Sequence, residues 1–117
     1  MKHLIAAALF ALLATPFFAN AGATGGQKSA IEIVKAGQTD RYQICFNANE
    51  PARLVVKGDG DTDLDLYVYD ENGNLIDSDT DGTDTCVASW NPRWTGNFTI
   101  RVVNRGNVYN RYALLTN

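Results

Sequence analysis

From residue 28 onward, apolar and polar side chains alternate in short runs, and clusters of Gly, Asn, Asp or Pro cut off each run. A period of two sends successive side chains to opposite faces of an extended backbone, so such runs predict half-buried strands and not helices. The clearest run is residues 63–70. Leu64, Leu66 and Val68 would face one way, and Asp63, Asp65, Tyr67 and Tyr69 the other. Glu71-Asn72-Gly73-Asn74 then reads as a hairpin turn, with a glycine available for positive φ. Tyr42, Ile44 and Phe46 alternate with Arg41, Gln43 and Cys45 in the same way, and Phe98, Ile100 and Val102 with Thr99, Arg101 and Val103. About eight strands result, with no amphipathic helix and no internal repeat. The fold class is all-β, an antiparallel β-sandwich of jelly-roll type, with a closed barrel as the alternative.

The first residues follow a different logic. Lys2 and His3 precede an apolar run over residues 4–18, and Ala19-Asn20-Ala21 offers the small-x-small pattern of a signal-peptidase site. The run is about 15 residues long, short of the roughly 20 that a spanning helix needs. Residues 1–21 are therefore read as a signal peptide, 22–28 as a flexible leader and 29–117 as the sandwich domain. The protein is expected in the periplasm or secreted, with no membrane span in its mature form. Cleavage also removes His3, the only histidine. What remains has no imidazole for general-base work, nucleophile activation or zinc ligation.

Cys45 and Cys86 both lie in the mature part. Two thiols in an oxidising compartment predict one disulfide. Closing about 40 residues, it would stabilise a domain this small by roughly 3–4 kcal/mol.

Charge is unevenly distributed. Between Gly58 and Pro92 there is no Lys or Arg, while ten of the 13 acidic residues fall there. With a net charge of −3, the balance excludes nucleic acid as a partner, because the phosphate backbone demands a positive surface. Asp77-Ser78-Asp79-Thr80-Asp81-Gly82 has the spacing at which alternate carboxylates converge on one hard cation. The full EF-hand pattern fails, since its twelfth position is Ala88 and no helices flank it. A looser calcium loop of Asp77, Asp79, Asp81 and Asp84 is one reading, and a solvated acidic loop is the other. Asp63 and Asp65 form a second alternation. Their charges would need solvent, an arginine such as Arg101 or Arg111, or a metal.

Aromatic residues offer binding chemistry. Trp94, beside Pro92 and Arg93 in an expected loop, and Tyr67 and Tyr69 on the polar side of their strand could stack on sugars or anchor a protein. Catalytic patterns are poor. Ser29, Ser78 and Ser89 lack a histidine, and a carboxylate-dependent hydrolase needs two tuned acids and a cleft.

The run Asp63-Leu64-Asp65-Leu66-Tyr67-Val68-Tyr69-Asp70, followed by Asn72-Gly73-Asn74-Leu75, resembles the bacterial pre-peptidase C-terminal domain, a small β-sandwich related to collagen-binding domains of collagenases. Gly96-Asn97-Phe98-Thr99-Ile100-Arg101-Val102 and the closing Arg111-Tyr112-Ala113-Leu114 are similar to later strands of that family. The resemblance implies a jelly-roll-like sandwich in a non-catalytic accessory role, and by analogy points to Asp63 and Asp65 for calcium. The cysteine pair and the Asp77–Asp84 loop stand outside the family pattern. The reading is thus a small exported binding module, whose acidic residues either hold a stabilising calcium or stay solvated, and whose partner is a protein or a glycan. A periplasmic inhibitor or immunity-type protein is the alternative, and a hydrolase the remote one.

Overall fold

The structure, a computed structural model, describes residues 22–117 together with the backbone of Ile5–Ala6. The signal-peptide reading of residues 1–21 otherwise lies outside the described residues. The strands are β1 (Ile5–Ala6), β2 (Lys28–Val34), β3 (Thr39–Phe46), β4 (Ala52–Lys57), β5 (Leu64–Tyr69), β6 (Leu75–Asp79), β7 (Thr85–Trp90), β8 (Gly96–Asn104) and β9 (Asn110–Thr116). Among the described residues there is no helix, and hence none long and apolar enough to cross a membrane. Eight strands, β2 to β9, make a two-sheet antiparallel sandwich. The first sheet has the order β1-β2-β9-β4-β7 and the second β3-β8-β5-β6.

The period-two pattern explains the core. Tyr42, Ile44 and Phe46 of β3, Phe98, Ile100 and Val102 of β8, and Leu64, Leu66 and Val68 of β5 are all buried on the inner face of the second sheet. Opposite them lie Leu54 and Val56 of β4, Cys86, Ala88 and Trp90 of β7, and Tyr112 and Leu114 of β9. Residues 22–24 run against the end of β3. Ala23 is fully buried, the Thr24 N–H donates to the Cys45 carbonyl at 2.9 Å, and the Asn47 N–H donates to that of Gly22 at 2.8 Å.

A buried polar chain joins the two sheets through this apolar centre. The Tyr112 hydroxyl, on β9, donates to Asp40 Oδ2 of β3 at 2.6 Å. The Tyr42 hydroxyl, also on β3, then donates to that of Tyr112 at 2.6 Å. Burial pushes both phenols well above their ordinary range, so they stay neutral donors.

The expected disulfide is not formed. Cys45 and Cys86 are free thiols, and strand parity is the reason. Cys45 sits between the inward Ile44 and Phe46, so its side chain belongs to the outer face of the second sheet, opposite Asn97. Cys86 is paired with Val56 in the first sheet and points into the core. Its Sγ–H donates to the Leu64 carbonyl at 3.1 Å. A sheet thickness therefore separates the two sulfurs, beyond the reach of a bridge. Burial pushes the Cys86 thiol up to about 12, which leaves it unreactive.

Two outcomes follow. A thiol reagent added to the native protein labels Cys45 alone, and Cys86 reacts only after denaturation; an intact mass that rises by two hydrogens on reduction would contradict the free-thiol assignment. Tyr112→Phe removes the hydroxyl that serves both neighbours and lowers stability in urea by about 1–3 kcal/mol, more than the roughly 1 kcal/mol expected of Tyr42→Phe.

Candidate functional site

One end of the sandwich opens into a cleft of about 320 Å³ between the β5–β6 hairpin and the β7–β8 loop. Its floor is aromatic. Trp90, at the end of β7, packs edge-on against Phe46, with ring centroids 4.8 Å apart, and tilts against Phe98 at 5.3 Å. The Trp90 ring is 8% exposed, yet its Nε1–H, shielded from solvent, has no hydrogen-bond partner among the described residues.

The hairpin builds one wall. Asp70 Oδ1 accepts the backbone N–H groups of Asn72 and Asn74, each at 2.9 Å, and Oδ2 accepts the Asn74 side-chain amide at 3.2 Å. Gly73 occupies the turn at φ 83°. These donors, the Asn74 N–H first among them, hold the Asp70 carboxyl below the usual carboxylate range. Asp70 therefore has no proton to give near neutrality, and a general acid is not what this wall supplies.

The loop after β7 builds the other wall. It is pinned from outside, because the Asn49 N–H donates to the Pro92 carbonyl at 2.8 Å and the Ala48 N–H to Thr95 Oγ1 at 2.9 Å. Arg93 and Trp94 line the mouth. Trp94 is 44% exposed, and its Nε1–H donates to Glu71 Oε1 at 3.0 Å, which ties the loop to the hairpin. Gly96 makes that tie feasible, since a Cβ there would collide with the Glu71 carboxylate. Aromatic surface, an amide and a guanidinium thus line one concavity, an arrangement suited to binding.

Tyr67 and Tyr69 lie elsewhere, on the outer face of the second sheet. Their rings stack with centroids 6.4 Å apart and planes 19° apart, and Arg105 Nη2 donates to the Tyr67 hydroxyl at 3.1 Å. The structure does not bring them to Trp94's cleft.

The acidic residues are dispersed too. Among the described residues, no group of three or more His, Cys, Asp or Glu side chains is placed to hold a metal ion. Asp79 Oδ2 and Asp77 Oδ2 accept the backbone N–H groups of Val87 and Ser89, each at 2.9 Å. Asp81 accepts the Thr83 N–H at 3.1 Å and its hydroxyl at 2.9 Å. Asp84 accepts Asn110 Nδ2 at 3.1 Å. Asp65 pairs with Arg105 at 2.8 Å, and not with Arg101 or Arg111. What these contacts leave over is Oδ1 of Asp63 and Oδ1 of Asp65, both shielded from solvent and without a hydrogen-bond partner among the described residues.

Sequence reasoning found Trp94 but not Trp90, Asp70 or Asn74. The available signal was the flanking of two tryptophans by Asn91-Pro92, which marks a loop leaving a core strand.

No family model matches the sequence, and neither does any curated protein. Solved structures do match. The pre-peptidase C-terminal domain of a Bacillus anthracis collagenase superimposes with a TM-score of 0.66 at 15% identity, over 76% of this chain and 87% of that one. PliG of Aeromonas hydrophila, a periplasmic inhibitor of g-type lysozyme, gives 0.57 at 17% identity, over 86% and 89%. PliG of Salmonella Typhimurium gives 0.50 at 14% identity, over 77% and 88%. With two antiparallel sheets built from the strands described above, the chain has a fold like that of the pre-peptidase C-terminal domain.

Proposed function

We propose that this protein is a small exported, non-catalytic binding module that engages a protein or glycan through the cleft at the end of the sandwich. The observation that carries this reading is the cleft's lining, in which Trp90, Phe98 and the half-exposed Trp94 stand beside Asn74 and Arg93. Aromatic surface with a few polar groups is the chemistry of a binding concavity. The signal-peptide pattern of residues 1–21 supports export, to the periplasm or beyond. Two tryptophans in the cleft provide the readout. Titration with neutral β-linked oligosaccharides and, separately, with a g-type lysozyme is expected to change tryptophan fluorescence saturably for one of them. Trp94→Ala then weakens that affinity by roughly 2 kcal/mol or more, as truncation of an interface tryptophan does. A silent titration with every probe would overturn the assignment of the cleft.

Fold likeness to two PliG proteins favours a second reading, a periplasmic inhibitor. Loss of g-type lysozyme activity on adding the protein at equimolar concentration is its test.

Calcium enters as a stabiliser proposed at Asp63 and Asp65, whose unpartnered Oδ1 atoms a divalent cation would take. Burial first, and then the neighbouring charge of Asp65, raises the Asp63 carboxyl above its ordinary value of 3.8. A carboxyl with a raised folded-state pKa penalises the fold above that value, and the penalty disappears as pH falls through the unfolded-state value. Asp63→Asn is therefore expected to melt higher than the parent at pH 7 in chelator and to lose this advantage near pH 3. Millimolar calcium raises the parent's midpoint and leaves that of Asp63→Asn where it was. A parent midpoint unmoved by calcium would end the calcium proposal.

A further inference from the structure

The outer face of the second sheet carries a charge arrangement that the sandwich does not itself resolve. In the register of β3 and β8, Arg41 lies directly opposite Arg101. In the register of β5 and β8, Arg101 in turn lies directly opposite Tyr67. One row across the sheet thus reads Tyr67, Arg101, Arg41, and the next reads Tyr69, Thr99, Gln43. Side chains directly opposite in an antiparallel pair have Cβ atoms about 5 Å apart, and like charges there repel.

Among the described residues neither arginine is ion-paired with a carboxylate. The strand neighbours on the same face are Thr39 and Gln43 beside Arg41, and Thr99 and Val103 beside Arg101. The acid that does reach this face, Asp65, is taken by Arg105 at 2.8 Å. Arg101 Nε is shielded from solvent and has no hydrogen-bond partner among the described residues. Ten of the chain's acidic residues fall between Gly58 and Pro92, and those whose contacts are described above are bound to turns, to edge N–H groups or to Arg105. The two guanidinium groups make this part of the face locally positive.

We infer that this face is a docking surface for an acidic polysaccharide, with the carboxylate or sulfate of one sugar held between Arg41 and Arg101. A planar guanidinium accepts such a group in fork geometry, two N–H donors to two oxygens. Beside the arginines, Tyr67 and Tyr69 present two near-parallel rings, 19° apart in plane. Both phenols are only half-buried, and an accessible phenol ring suits the C–H face of a sugar. Charge alone would serve an acidic peptide equally well; the adjoining tyrosines favour the glycan. The inference is independent of the end cleft, which lies on another part of the molecule.

The test uses the whole protein with polygalacturonate as the acidic glycan, neutral dextran as the uncharged glycan and poly-L-glutamate as the acidic peptide. Polygalacturonate is expected to bind, more weakly as salt rises, while dextran does not. Arg41→Gln and Arg101→Gln each weaken binding by roughly tenfold to a hundredfold, the loss expected of one charge-assisted contact. Both variants should melt at or above the parent's midpoint, since each removes a repulsion; this separates lost binding from lost folding. Trp94→Ala should bind polygalacturonate as the parent does, so failure of the cleft and failure of this face are distinguishable. Absence of polygalacturonate binding, unchanged affinity in both arginine variants, or poly-L-glutamate binding as tightly as polygalacturonate would each overturn the proposal.

Discussion

Two sheets without a covering helix hold together only if something fixes how one lies on the other, and here that is the hydrogen-bond chain from Tyr42 through Tyr112 to Asp40. Dispersion and apolar burial are non-directional, so a core of Leu, Ile and Val alone would tolerate small slides of sheet on sheet. A buried carboxylate does not tolerate them. Asp40 is largely withdrawn from water, and a group so buried depends on its hydrogen bonds, one of which the Tyr112 hydroxyl supplies from the facing sheet. Tyr112 belongs to β9, the strand that pairs with both β2 and β4. Fixing β9 over β3 thus fixes the middle of the first sheet over an edge of the second, and the rest of the core fills in around that alignment.

The opposite margin of the sandwich is held by a different device. β6 is an edge of the second sheet and β7 an edge of the first. Residues of β7 that face away from β4 leave their N–H groups unpaired, which exposes a template for a foreign strand. Asp77 and Asp79 lie opposite the inward Val68 and Leu66, so their carboxylates lean toward the first sheet. There they accept the N–H groups of Ser89 and Val87. Side chains from one sheet thereby close the ladder of the other. The same contacts seat β7, whose last residue is the Trp90 that floors the cleft.

Much of the sandwich was legible because parity along a strand is a local property. The alternation at 63–70 assigns Leu64, Leu66 and Val68 to one side, and all three are fully buried. Parity also held the answer on the cysteines, since Cys45 lies on the side opposite Tyr42, Ile44 and Phe46; counting thiols and compartment alone led to the bridge instead. Alternation does not say which side is inward when both are apolar. In β2, Ala30 and Val34 fill the core while Ile31 and Ile33 remain 44% and 49% exposed. The D-x-D spacing of Asp77 and Asp79 suggested convergence on a cation. On an edge strand the same spacing places both carboxylates on one side, within reach of a neighbouring strand that the sequence does not identify. The cleft was least legible, because its floor and walls come from β7, β8, the β5–β6 hairpin and the β7–β8 loop, whose full adjacency only the tertiary fold creates.

The contrast between acids and arginines follows from this geometry. Carboxylates accept hydrogen bonds without a matched cation, and a fold rich in turns and open edges supplies backbone N–H groups in quantity. Asp70, Asp77, Asp79 and Asp81 are all bound in this way. Arginine has no such internal market, since a guanidinium only donates and most carbonyls of a sheet are already engaged. Acids concentrated in turns can therefore be absorbed by the backbone, whereas Arg41 and Arg101, opposite one another on a sheet face, have no ion-pair partner among the described residues. An overall acidic chain can in this way present a local surface for anions, because several of its acids are bound to its own backbone while Arg41 and Arg101 are not paired.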